Sequence, residues 1–273
     1  MLGPTPILGT RPHRAADYLR AARSVDIRKA AALTIAPAGD LAATRTANDA
    51  VLALARTSRG RFFAIPSVHP ADGEAALGEI DRVASDGALA LKLHPNTQNF
   101  DVADPAVQAV VERAALRKLP ILFDAYSPFD GDQPGKFVRL AMSVPDSRLI
   151  LAHAHGPRFP DLLVYEILAR YPWWHRNVWI DLSATGPLLS GSPFAAQFLW
   201  VLRKVGTDRL VFGSDYPLDD PAVAVRRVAA LGFTPAECRQ VFFENARALF
   251  RLRTRLDDPV TPTQGKSRRR RNG

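Results

Sequence analysis

The chain has 273 residues, 47% of them hydrophobic and 23% charged, enough to bury a sizeable core in one large domain or two small ones. Its single cysteine, Cys238, excludes an intramolecular disulfide and any multi-cysteine zinc site, suits a reducing cytoplasm, and leaves histidine and carboxylates as the metal-binding donors. The formal charge of +9 sits largely in residues 251–273, whose eight basic side chains against Asp257 and Asp258 leave only +3 for residues 1–250; without base-reading motifs or interleaved aromatics, no specific nucleic-acid binding is expected.

Residues 1–13 are Pro-rich and irregular, with no cationic segment followed by an apolar run, so no signal peptide is expected. Nowhere do about 18 apolar residues follow one another, so no membrane span is expected either. From residue 14, Ala16, Leu19, Ala22 and Val25 share one helical face, and the apolar run 31–36 reads as a strand before Pro37. The same pair of signals then repeats. Strands are predicted over residues 61–69, 88–94, 121–126, 148–156, 177–183 and 209–217. Helices are predicted over 46–57, 77–85, 104–118, 135–142, 160–171, 193–206, 221–231 and 234–252. Asp104 before Pro105 is a helix start in which proline occupies a position whose amide has no partner to lose. Thr234 with Glu237 reads as a capping box.

Val68, Leu93, Phe123, Ala152, Ile180 and Phe212 occupy matched apolar positions separated by 25, 30, 29, 28 and 32 residues. This even βα spacing gives seven strands, each followed by a helix. The predicted fold is α/β, a TIM (β/α)8 barrel missing or distorted at strand 1, with residues 1–255 as one barrel domain and 256–273 as a disordered basic tail. A doubly wound open sheet is the alternative, but the Gly-rich phosphate loop such folds often carry is absent.

In such a barrel, polar residues at the C-terminal ends of the strands converge on one face. Here they are His69, Lys92 with His94, Asp124, His153 with His155, Asp181 with Ser183, and Asp215, the last at the end of Arg209-Leu-Val-Phe-Gly-Ser-Asp-Tyr-Pro217. Imidazole and carboxylate are the ligands that zinc and similar ions take when thiolates are absent. A metal there would acidify a bound water, with Asp215 taking its proton. Each residue also has a plain structural reading. Asp215 forms a turn before Pro217, Lys92 snorkels or pairs with a carboxylate, His94 caps the turn at Pro95, His155 is a loop donor, Asp181 points away from the His153 site or holds a neighbouring histidine, and Trp173, Trp174 and Trp179 are packing.

Val68-His-Pro, Lys92-Leu-His-Pro, Leu151-Ala-His-Ala-His-Gly, Asp181-Leu-Ser-Ala, Phe212-Gly-Ser-Asp-Tyr-Pro and Glu244-Asn-Ala-Arg-Ala-Leu-Phe succeed one another across nearly the whole chain. Together they resemble the amidohydrolase superfamily, in its amidohydrolase-related branch of metal-dependent hydrolases and decarboxylases. The resemblance implies a TIM barrel with a divalent ion, Zn2+ or alternatively Mn2+. His153 matches the metal-binding histidine of the family's sixth strand, and Asp215 matches the metal-linked aspartate of its eighth, a proton shuttle. Asp124 stands where the family's fifth strand has histidine, and the His-x-His of its first strand has no counterpart here. Met1-Leu-Gly-Pro resembles the segment that family members carry just after that motif, so the chain is expected to begin one strand late. Asn245 is expected to be structural.

The expected site is therefore Asp124, His153 and Asp215 as metal ligands, Asp215 and His153 as catalytic groups, and Lys92, His94 and Arg158 as substrate contacts. The first expectation is a metal-dependent hydrolase of a small amide, ester or lactone. The alternatives are a non-oxidative decarboxylase of a small aromatic or unsaturated acid, and a non-catalytic or truncated barrel that binds without turnover. The expected partner is a small molecule, without nucleic acid or membrane, and the chain is compatible with a homo-oligomer.

Overall fold

The computed structural model describes residues 14–252; the expectations for the first thirteen residues and for the basic tail lie outside them. Apolar runs bounded by turn residues form seven short strands: β1 (Ala30–Leu33), β2 (Phe62–Ile65), β3 (Leu91–Leu93), β4 (Ile121–Asp124), β5 (Leu149–Ala152), β6 (Val178–Asp181) and β7 (Leu210–Val211). All pairings are parallel. β1 pairs with β2, and β3 to β7 form a five-stranded sheet in sequential order. A bridge between Ser67 and Lys92 joins the two sheets, and Lys92 N donates to Pro66 O at 2.8 Å. Sequential parallel order with helical crossovers is the winding of a (β/α)8 barrel. The barrel is imperfect at strand 1: among the described residues β1 and β7 are not paired, and the gap between them opens into the interior.

Alternation along each strand sorts side chains between two cores. Leu91, Leu93, Phe123, Leu149, Leu151, Ile180 and Leu210 belong to the larger core, packed with Val51 and Leu52 of the helix Leu41–Thr57, Ile80 and Val83 of Glu74–Ser85, and Val107 and Val111 of Pro105–Leu116. The strand residues between them, Ala90, Leu122, Ile150, Trp179 and Val211, meet Ile65, Phe63, Leu249 and Phe250 in a second cluster inside the barrel. Lys92 and Asp124 lie on that inward face, so the fold delivers them to the interior before any chemistry is considered.

The structure corrects several boundaries. The register aligns Leu93, Phe123, Leu151, Ile180 and Leu210, so Ala152 and Phe212 are one and two positions past the matched layer. The strand expected over 148–156 stops at Ala152 because His153, Ala154, His155 and Gly156 all take positive φ. The helix expected from residue 46 begins at Leu41, where the Asp40 side chain accepts from Ala43 N at 2.9 Å. The last predicted helix is three pieces, Pro235–Arg239, a π-helical turn Gln240–Glu244, and Asn245–Leu249. Both predicted starts hold: Asp104 accepts from Ala106 N at 2.8 Å, and Thr234 and Glu237 form the capping box. Asn245 is structural, its Nδ2 donating to the carbonyls of Thr207 and Leu210 at 2.7 Å.

A buried polar clamp secures the strands beside the gap. Asn48 Nδ2 donates to Ser67 O and to Glu79 Oε1, both at 2.9 Å, while its Oδ1 accepts from Ser67 N at 2.9 Å and Thr34 Oγ1 at 3.0 Å. Ser67 Oγ donates to Lys92 O at 2.8 Å. No helix among the described residues is long and apolar enough to cross a membrane.

Candidate active site

The strand ends open onto one cavity of about 2580 Å³, continuous with the gap between β1 and β7, into which His69, Lys92, His94, Asp124, His153, Asp181, Ser183 and Asp215 all face. Three of the turns that deliver these groups leave their strands through left-handed non-glycine residues: His153 (φ 65°), Ala184 (φ 55°) and Asp215 (φ 57°). Such backbone costs on the order of 1 kcal/mol per residue and tends to collect where a side chain must be aimed. Gly156 (φ 57°) continues the β5 turn, and a Cβ there would meet the Tyr126 ring at 2.9 Å.

His153 is the hub. Its Nε2 lies 3.1 Å from Asp124 Oδ2 and its Nδ1 lies 3.0 Å from Ser183 Oγ. Ser183 Oγ also makes a short hydrogen bond to Asp181 Oδ1, an atom that accepts from Ser183 N at 3.0 Å as well. Carboxylates only accept, so the Ser183 hydroxyl donates to Asp181 and its oxygen accepts from His153 Nδ1–H. Nε2–H then faces Asp124, and both ring nitrogens carry protons. The electrostatics agree. Burial opposes the charge on His153, but the hydrogen bond and charge of Asp124, with the charge of Asp215, hold its pKa above the ordinary imidazole value. Burial likewise opposes the Asp124 charge, yet the hydrogen bond from His153 and the charge of Lys92 bring its pKa down to about 2.

His94 also reaches Asp124 Oδ2, at 3.3 Å, but it is the neutral partner. Burial pushes its pKa down to about 4. Its Nδ1 caps the short helix Pro95–Gln98 by accepting from Thr97 N at 3.4 Å, which leaves Nε2 as the donor toward Asp124. Asp215 is half-buried and has no side-chain hydrogen bond among the described residues. Burial first, and the charges of Asp181 and Asp124 second, raise its pKa against the pull of His153 and Lys92. Lys92 is 6% exposed. Burial lowers its pKa, opposed by Asp124, Asp215 and Asp181.

Imidazole and carboxylate are metal-ligand chemistry, but this arrangement does not fit a metal ion. The Nε2 atoms of His94 and His153 are both donors toward one Asp124 oxygen, and the Lys92 charge stands among the carboxylates a cation would need. No group of three or more His, Cys, Asp or Glu side chains among the described residues is set to hold an ion, so Asp124, His153 and Asp215 do not form the expected cage.

A profile of the amidohydrolase family matches residues 9–252. The chain belongs to the amidohydrolase family. No curated protein matches it significantly. Among solved structures, 5-carboxyvanillate decarboxylase from Sphingomonas paucimobilis is 17% identical with a TM-score of 0.70, over 90% of this chain and 85% of that one. A 2,6-dihydroxybenzoate decarboxylase from Rhizobium is 18% identical with a TM-score of 0.67, over 88% and 89%. A dihydroxybenzoic acid decarboxylase from Polaromonas, solved with manganese and 2-nitroresorcinol bound, is 16% identical with a TM-score of 0.69, over 88% and 87%. These likenesses establish the amidohydrolase barrel fold for this chain.

Within that family frame, the structure brings Lys92, His94, Asp124, His153 and Asp215 together and excludes three other candidates. Arg158 is turned out of the cavity, its guanidinium bound to Asp161 Oδ2 at 2.8 Å and to Gly131 O, so it braces a loop and contacts no substrate space. His155 is buried on the far side of its turn, with Nδ1 on Ala125 O at 2.9 Å. His69 faces the cavity but is committed at both nitrogens, to Gln98 O at 2.7 Å and Ala71 N at 3.2 Å. Asp181 and Ser183 were readable as strand-end polar residues and Asp181 as one that could hold a histidine, but the link through Ser183 Oγ was not. Trp174 and Trp179 are packing as expected, the first stacked on Tyr165 and the second under Arg209.

Proposed function

We propose that this barrel is a non-oxidative decarboxylase of small aromatic acids. The observation that carries the reading is the meeting, in one cavity, of an unpartnered half-buried Asp215 with an imidazolium held between Asp124 and the Ser183–Asp181 pair. That combination brings together a carboxyl whose pKa burial raises and an imidazolium, two groups able to hand on a proton. The aromatic-acid decarboxylases among its structural relatives support the same choice over hydrolysis.

Decarboxylation of an aromatic carboxylate needs a proton at the carbon bearing the carboxylate. Burial raises the pKa of Asp215 and so favours its acid form, the form that hands this proton to the ring. The carbon–carbon bond then breaks, CO2 leaves, and the bonding pair returns to the ring to restore aromaticity. Asp215, now ionised, is stabilised by His153, whose charge acts on it, and regains a proton from His153 or solvent. Leu122, Ile150 and Phe212 line the same cavity and supply the apolar walls for a ring. No step requires a metal; manganese, bound in the Polaromonas relative, has better support than zinc should an ion be taken up.

Hydrolysis of an amide, ester or lactone is the second reading, favoured by the family itself. Release of CO2 from a panel of hydroxybenzoates tests the first. Wild type is expected to release it, and Asp215→Asn to lose on the order of 100-fold or more of the rate. Full activity in Asp215→Asn would remove Asp215 from the mechanism. Water-derived oxygen in products of an ester panel, without CO2 release, would select hydrolysis.

A further inference from the structure

Lys92 lies between Leu91 and Leu93, both packed in the outer core, so its side chain faces the barrel interior. Its backbone is pinned on both sides, N to Pro66 O and O to Ser67 Oγ, each at 2.8 Å. The stem therefore leaves a fixed base and reaches the cavity at a set depth. Its ammonium has no hydrogen-bond partner among the described residues. The other buried polar groups around it are satisfied: Asp124 by two imidazoles, Asp181 by Ser183, and His69 by Gln98 O and Ala71 N. An ammonium that faces a cavity with three donors and no protein acceptor beside it is free to take the acceptor atoms of a ligand.

We infer that Lys92 is the fixed cation that grips the carboxylate of a planar aromatic acid, in a site whose histidines and aspartates are hydrogen-bonded to each other instead of gathered round a metal. The inference rests on the decarboxylase reading and narrows it, because the grip selects carboxylates over neutral amides and lactones of the same shape. Three features of the cavity fit that ligand. The ammonium supplies donors and charge for a carboxylate, Leu122, Ile150 and Phe212 flank the space for a ring, and Asp215 faces the same cavity as proton source. Asp215 and Lys92 also sense each other's charge, which places the gripped group within electrostatic reach of the donor.

The test is calorimetric binding to EDTA-treated full-length protein, with 2,6-dihydroxybenzoate as the charged probe and 1,3-dihydroxybenzene as its neutral counterpart. Wild type is expected to bind the acid, Lys92→Met to bind it at least tenfold more weakly, and Lys92→Arg to retain most of the affinity. Binding of the neutral diol is expected to be unchanged in Lys92→Met, and circular dichroism checks that the variants fold. Equal affinity of wild type and Lys92→Met for the acid overturns the inference. So does wild-type binding that is absent after EDTA and restored by manganese, or no binding of the acid under either condition. A Lys92-dependent affinity without CO2 release would leave the grip standing and remove the decarboxylase reading instead.

Discussion

Gly213 packs against Asp181 so tightly that a Cβ on the glycine would lie 3.0 Å from Asp181 Cγ and closer still to its Oδ2. The strand end that leads to Asp215 thus forms the wall behind the carboxylate that orients Ser183, and through it His153. Gly213→Ala is expected to displace Asp181, release Ser183 and lower kcat about tenfold with a smaller change in KM, since a contact that orients His153 is lost. Steady-state kinetics beside a thermal melt checks this. An unchanged kcat in a folded variant would show that the close approach has no functional consequence.

Ser183→Ala tests the same connection from its centre. Removing the hydroxyl leaves His153 Nδ1–H without its acceptor and Asp181 without a donor. A lost hydrogen bond to a charged group is worth about 1.5–3 kcal/mol, so a fall in kcat on the order of 10- to 100-fold is expected. Ser183→Thr, which keeps the hydroxyl, is expected to recover most of it. If threonine rescues nothing, volume and not the hydrogen bond matters at this position.

The protonation assigned to His153 has a pH signature. Its folded-state pKa is raised above the ordinary value of 6.5. A raised imidazole contributes stability that is fully present below the unfolded value near 6.5 and is lost as pH rises through the higher folded value. NMR titration of His153 is expected to show that elevation in wild type and a clear drop in Asp124→Asn. The same titration in His94→Gln, which leaves Asp124 in place, is expected to keep it raised. An unperturbed His153 in wild type would remove the imidazolium from the account.

Much of the barrel was legible in the chain itself, for identifiable reasons. Parallel buried strands read as apolar runs, and their spacing carries the winding of the barrel, so seven strands and their order could be read directly. Strand-end polar residues could be named for the same reason. What the sequence does not carry is direction past the strand end. His153 and His155 are two residues apart and would share a face in an extended strand, but three successive left-handed residues put them on opposite sides of the turn. Arg158 is likewise one loop position from usefulness, and its partners Asp161 and Gly131 decide where it goes. Asn48 and Glu79 were invisible because a buried polar clamp has no periodicity.

That clamp is expected to govern stability. The Glu79 side chain is fully buried and accepts from Arg82 at 2.7 and 2.8 Å, from Arg45 at 3.2 Å and from Asn48 at 2.9 Å. Asn48→Ala leaves Ser67 N and the Thr34 hydroxyl without their acceptor in the interior beside the unpaired edge of β1, and is expected to destabilise by about 2–3 kcal/mol. Urea unfolding measures it; a loss below about 0.5 kcal/mol would mean that the gap, and not the clamp, sets the stability of this side of the barrel.

The central claim, that Asp215 protonates a ring carbon as CO2 departs, is tested most directly by running the reaction in D2O and reading the product by NMR. Decarboxylation by this route predicts one deuterium at the carbon that carried the carboxylate, with CO2 released in equal amount, and loss of both in Asp215→Asn. Turnover that leaves this carbon unlabelled, or that proceeds unchanged in Asp215→Asn, would contradict it.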